Sequence, residues 1–154
     1  MRRLIIEEDR LDHFLLASAG LPSTAIGAAP DGRAMQVAEE HGLDLRTKRA
    51  RPITRNDFDL FELILALDSE CLEVLKAAAP GNTARKVHRL LDFSPWIGEA
   101  DIPDPTAGSP GDFSDVLDLI RLAVRGLLEA LDQADGAFEV PDEFRVSLKV
   151  SSGT

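Results

Sequence analysis

The chain has 154 residues, 44% hydrophobic and 29% charged, a length and balance that suit one globular domain with a real core. Its formal net charge of −10, from 27 acidic and 17 basic side chains, argues against nucleic acid or an anionic membrane as a bulk partner, because phosphate-backbone binding needs clustered Lys and Arg. No apolar run approaches the ~20 residues that span a bilayer, and the opening MRRLIIEEDR is far short of a signal-peptide core. The expected location is therefore the cytoplasm. A single cysteine, Cys71, excludes an intramolecular disulfide framework and a multi-cysteine metal site.

In chain order, Leu4, Ile5 and Ile6 read as part of a helix already under way at Met1, with no Ser, Thr, Asp or Asn before it as a cap. Residues 14–18 (FLLAS) form a short apolar run expected to be a buried strand. Residues 19–30, rich in Gly, Pro and Ala, read as a long loop. Over residues 31–40 the apolar positions Ala34, Met35, Val37 and Ala38 repeat helically, and Gly42 supplies the stop. Thr54 and Asp57 form a capping pair opening a short turn.

Residues 61–67 (FELILAL) make the strongest strand signal, and their near-continuous apolar character suits a parallel strand covered on both faces. Asp68 and Ser69 then cap a helix that runs to about Ala79 and closes at Pro80. A fourth element spans residues 87–91. The loop of residues 92–111 is punctuated by Pro95, Pro103, Pro105 and Pro110. Asp112 or Ser114 is expected to cap the last long helix, whose apolar face includes Val116, Leu119, Ile120, Val124, Leu127, Leu128 and Leu131. Strands alternating with helices imply right-handed βαβ units, so the fold class is α/β, with a parallel sheet between two helix layers. Residues 1–134 read as the domain and 135–154 as a C-terminal tail. In that tail FRVSLKV alternates apolar and polar positions, the pattern of an edge strand with one wet face.

The order of the motifs resembles the low-molecular-weight protein tyrosine phosphatase family. ASAG after the first strand, PDGRA opening a helix and HGLDL closing it are followed by KRARPIT, DFDLFELILALD and DIPDP, then by a capped final helix. The resemblance implies a three-layer α/β fold around a four-stranded parallel sheet. It also implies an active site in a phosphate-cradling loop between the first strand and first helix, carrying a Cys and, six positions later, an Arg. Backbone N–H groups at such a helix N-terminus bind phosphate oxygens and depress the thiol pKa. The thiolate attacks phosphorus, the Arg forks onto two oxygens, and a distant Asp protonates the leaving phenolate.

In this alignment of motifs MRRLIIEEDR matches the second half of the family's first helix, so the first strand and the nucleophile loop are expected to be missing from the chain as given. Cys71 does not replace them, because no Arg lies within seven residues on its C-terminal side and its bland role is packing. By resemblance Asp104, in IPDP, takes the general-acid position; without the family it is a turn-forming Asp before Pro105. Ser18 matches a serine that supports the phosphate loop, or else is a strand-end hydroxyl satisfied by a turn. Asp101 reads as a solvated loop charge, Arg49 as a possible anion contact and Arg51 as a structural brace. His13, His41 and His88 have no ligand-spaced partners, so neither metal nor cofactor is expected.

Two readings follow. One is a phosphatase-family enzyme whose nucleophile loop precedes Met1, acting on a phosphorylated protein or a small aryl phosphate. The other is a pseudophosphatase that binds a partner. Thr106 and Ala107 stand where the family has two aromatic residues, and Ala25, Ile26 and Gly27 where it often has another, which weakens the apolar grip on a phenyl ring. Arsenate reduction on the same fold needs further cysteines, which are absent. A sheet without its central strand would also expose edges that invite self-association.

Overall fold

A computed structural model describes Met1, residues 14–21 and residues 26–133 of the chain. Helix α1 spans Gly32–Glu40, and the Asp31 carboxylate accepts from the Arg33 backbone N–H at 2.8 Å to cap it. Gly42, at φ 70°, turns the chain out of the helix in a conformation that side chains with a Cβ resist. Helix α2 (Arg55–Leu60) opens on the Thr54–Asp57 pair: the Thr54 N–H and hydroxyl both donate to Asp57 Oδ2 at 2.8 Å.

Strand β1 (Ile64–Ala66) is crossed by helix α3 (Ser69–Ala78) to strand β2 (Val87–Arg89), and the two strands are parallel, with Ile64 opposite Val87 and Ala66 opposite Arg89. The last helix, α4, runs Pro110–Gln133. Leu63 and Leu65 pack on the α4 residues Ala123, Val124, Leu127, Leu128 and Leu131, together with Leu90, Leu91, Phe93 and Ile102. Ile64 and Ala66 pack on Phe58, Phe61, Leu75 and Val87 on the opposite side. The strand is thus buried on both faces between helix layers, which is why its sequence is apolar without alternation. The α/β class stands.

Several elements differ from expectation. The strand expected at 14–18 is reduced to a bridge at Leu16, with Leu15 62% exposed and Ser18 also exposed. Phe14 and Leu16 still reach the α4 side of the core, and Ala17 and Leu21 the α3 side. The 61–67 strand begins only at Ile64, because the Phe61 N–H is engaged by the Asp57 carbonyl in closing α2. The fourth element shortens to Val87–Arg89 and tightens into a 3₁₀ turn, Leu90–Phe93. Helix α4 starts earlier than foreseen. Ser109 is its cap and Pro110 its first residue, where a missing N–H costs nothing. The Ser109 N–H and hydroxyl both donate to Asp112 Oδ2, at 2.5 and 2.7 Å, so Asp112 closes the cap from inside the first turn. The expected opening helix and the tail of residues 135–154, with its edge strand, lie outside the described residues. Among the described residues no helix is long and apolar enough to cross a membrane.

Candidate active site

After β2 the chain passes through the 3₁₀ turns Leu90–Phe93 and Pro95–Ile97, reverses at Gly98, and returns to the carboxyl end of β1. The buried Ile102 donates its N–H to the Leu67 carbonyl at 2.8 Å, docking the segment beside the strand end. One residue earlier Asp101 accepts the Ser69 hydroxyl at 2.7 Å and lies 3.8 Å from Arg89 Nη1. Asp101 is therefore a tether, contrary to its reading as a solvated charge. The reason is spatial: Ser69 opens α3 and Arg89 ends β2, and both face the strand ends where the loop lands.

Asp104 follows on the same loop. Its Oδ1 accepts the Thr106 N–H at 2.9 Å and caps the short turn Pro105–Ala107, whose first residue is fixed in φ by the proline ring. The side chain is exposed. Beyond the turn, Arg33 reaches over from α1: Nη2 donates to the Thr106 carbonyl at 2.9 Å and Nη1 to the Gly108 carbonyl at 2.8 Å. An exposed carboxyl is thus carried on a turn tethered on both sides, at the carboxyl ends of parallel strands. That is where α/β sheets gather their ligand crevices.

The other candidates separate from this loop. No hydrogen bond joins Ser18 to it among the described residues, and Ser18 lies two residues before the parallel bridge between Gly20 and Pro52. Arg51 forks onto Asp57 at 3.0 and 2.9 Å and is the brace expected of it. Arg49 is exposed and donates to the Arg46 and Lys48 carbonyls, which makes it a turn contact. Cys71 is half-buried against the α3-side core cluster that contains Ile64, Ala66 and Leu75. Burial, then the Asp68 carboxylate that accepts its S–H at 3.4 Å, push the thiol up to about 11, so it stays protonated at neutral pH. His88 Nε2 sits 2.9 Å from the Arg85 carbonyl and His41 Nδ1 2.9 Å from Arg121 Nη1. His13 lies outside the described residues, and no His, Cys, Asp and Glu group among them could hold a metal.

Sequence reasoning missed Arg33, Ser69 and Arg89. PDGRA reads locally as a helix start, and nothing in it marks a partner 73 or 75 residues away.

Helices on both faces of parallel strands, with an exposed acid on a loop at the strand ends, define an α/β domain of parallel-sheet type. The chain belongs to the low molecular weight phosphotyrosine protein phosphatase family, whose model matches residues 1–136. It is 33% identical over 139 residues to a low molecular weight protein-tyrosine-phosphatase of Streptomyces coelicolor, covering 87% of this chain and 84% of that one. It is 30% identical to the low molecular weight phosphotyrosine protein phosphatase of Sus scrofa, covering 83% and 81%. Among solved structures, a protein tyrosine phosphatase from Entamoeba histolytica with Hepes in its active site superposes with a TM-score of 0.81 at 26% identity, covering 86% and 85% of the two chains.

Proposed function

We propose that this domain serves phosphomonoester hydrolysis on phosphorylated proteins or small aryl phosphates, with Asp104 as the general acid. The observation that carries the reading is the tethered, exposed carboxyl of Asp104 at the strand ends. The family's route runs through a cysteinyl phosphate. A thiolate forms the sulfur–phosphorus bond as the ester P–O bond breaks, and the acid delivers its proton to the departing oxygen. Water then cleaves the sulfur–phosphorus bond, returning its proton to the same carboxylate.

Within the 154 residues the only cysteine is Cys71, with no Arg in the seven residues that follow. The chain as given is therefore proposed to lack the nucleophile and to turn over no aryl phosphate above background. Measurable turnover would overturn this, and turnover that survives alkylation of Cys71 would show that a different site exists. A form carrying the family's first strand and nucleophile loop ahead of Met1 is proposed to be active and to depend on Asp104. In that form Ser18 is proposed to support the phosphate loop.

A second reading, a pseudophosphatase that binds a partner, is favoured by Thr106 and Ala107 in place of aromatic walls. If the loop-bearing form binds a phosphotyrosine peptide without hydrolysing it, this reading replaces the first. Self-association through strand edges is a separate proposal, which rests on a sheet without its central strand.

A further inference from the structure

Arg33 is placed to govern the loop that carries Asp104. Four of its five N–H groups are engaged: Nε on Asp31 Oδ1 at 3.1 Å, Nη2 on Asp31 Oδ2 at 2.8 Å and on the Thr106 carbonyl at 2.9 Å, and Nη1 on the Gly108 carbonyl at 2.8 Å. Its guanidinium carbon stands 4.6 Å from the ring centre of Phe113, a buried residue in the first turns of α4. Asp31 is itself fixed as the cap of α1, and the Arg33 contacts hold its carboxyl down to about 2, so the anion is present at any ordinary pH. The fork is therefore aimed by a rigid helix start and a ring before it touches the loop.

Thr106 joins the two ends of this relay. Its carbonyl accepts from Arg33, and its N–H donates to Asp104 Oδ1 at 2.9 Å. Gly108, the other acceptor, closes the same turn by donating its N–H to the Pro105 carbonyl at 2.9 Å. A lysine has no planar fork and can satisfy only a scattered subset of these acceptors.

We propose that Arg33 is the positioning residue of the acid loop, pinning the Pro105–Ala107 turn so that the Asp104 carboxyl is held in one place rather than swept through solvent. The functional part of this rests on the reading of Asp104 as general acid; the clamp itself does not. Misplacing a proton donor by about 1 Å can cost on the order of a hundredfold in rate. The residue touches no reacting atom and acts through Thr106.

The first test is amide hydrogen exchange on the full chain, followed residue by residue. Arg33→Lys and Arg33→Ala should each speed exchange at Thr106 and Gly108 about tenfold, with the amides of Leu65, Val87 and Val37 unchanged. Millimolar methylguanidinium should restore protection in Arg33→Ala and not in Arg33→Lys. Unchanged rates at 106–108, or acceleration spread equally over strand and helix amides, would overturn the clamp. The second readout uses the loop-bearing form. There Arg33→Lys should lower kcat for esters with basic leaving groups, leave KM alone, and add nothing in an Asp104→Asn background. An equal loss for all leaving groups would reduce Arg33 to a stabilising residue. If the exchange result holds while Asp104→Asn shows no leaving-group dependence, the acid reading fails and the clamp stands. If Asp104→Asn shows that dependence and the exchange is unmoved, the clamp fails alone.

Discussion

Arg51 closes both terminal nitrogens onto the Asp57 carboxylate, at 3.0 and 2.9 Å, and that carboxylate belongs to a residue only 6% exposed. Burial pushes the Asp57 carboxyl up, but the fork from Arg51 and the hydrogen bonds from Thr54 outweigh it, and the group lies below its ordinary value. Removing Arg51 leaves a buried anion with its cap partner alone. Arg51→Ala is expected to cost about 2 kcal/mol, less than the roughly 3–5 kcal/mol of a fully buried broken pair because the arginine is partly solvated. The sign with pH follows. A carboxyl depressed in the folded state adds stability that is complete above its unfolded value of about 3.9 and is lost as pH falls through the folded value. The gap in Tm between wild type and Arg51→Ala should therefore shrink below about pH 4, and a constant gap would contradict the pairing.

Gly126 sits in the middle of α4, where a glycine-to-alanine change ordinarily gains about 1 kcal/mol. Here the sign should reverse. A Cβ would stand 2.7 Å from the Phe93 carbonyl oxygen and 2.8 Å from Trp96 Cη2, with the buried Ser94 hydroxyl also in its way. The backbone oxygen cannot step aside cheaply. Gly126→Ala is expected to destabilise by about 1–3 kcal/mol, measured by urea unfolding. Trp96 is the single tryptophan, 65% exposed, so its emission should change with the displacement.

Cys71 should be a slow thiol. The N-terminal turn of a helix usually favours a thiolate, but burial and then the hydrogen bond and charge of Asp68, with Glu70 behind it, take the group up to about 11. Iodoacetamide at pH 7.5 should modify it on the order of a hundredfold more slowly than it modifies free cysteine, since only the thiolate reacts. A rate matching free cysteine would show an activated thiol and reopen its role.

The layers were legible in the sequence because burial on both faces writes itself as continuous apolar character, as in Leu63, Ile64, Leu65 and Ala66. The caps at Thr54 and Asp68 were legible because each partner lies within three residues. Element ends were harder. Phe61 and Leu63 look like strand, yet the phenylalanine backbone is spent on closing α2. At 14–18 the apolar run placed side chains in the core without a ladder of bonds to make it a strand. Asp104 came from motif order, whereas Arg33, Ser69 and Arg89 depend on contacts between distant segments that no local pattern encodes.

Asp104→Asn, in a form carrying the family's nucleophile loop, should slow hydrolysis of aryl phosphates with basic leaving groups by about 10²- to 10⁴-fold, the usual worth of a positioned general acid. Asparagine keeps an oxygen for the Thr106 N–H, so the turn is retained while the transferable proton is lost. Esters whose leaving groups are already acidic need little proton help and should suffer far less. Asp101→Asn offers the contrast on the same loop. Asparagine keeps an oxygen for the Ser69 hydroxyl and loses the charge 3.8 Å from Arg89, so the tether weakens without any proton being removed from the chemistry. Its effect should be small and the same for every leaving group. A plot of log kcat against leaving-group pKa separates the two: steep for Asp104→Asn, parallel to wild type for Asp101→Asn. Parallel lines for both variants would leave Asp104 as the cap of a turn and nothing more.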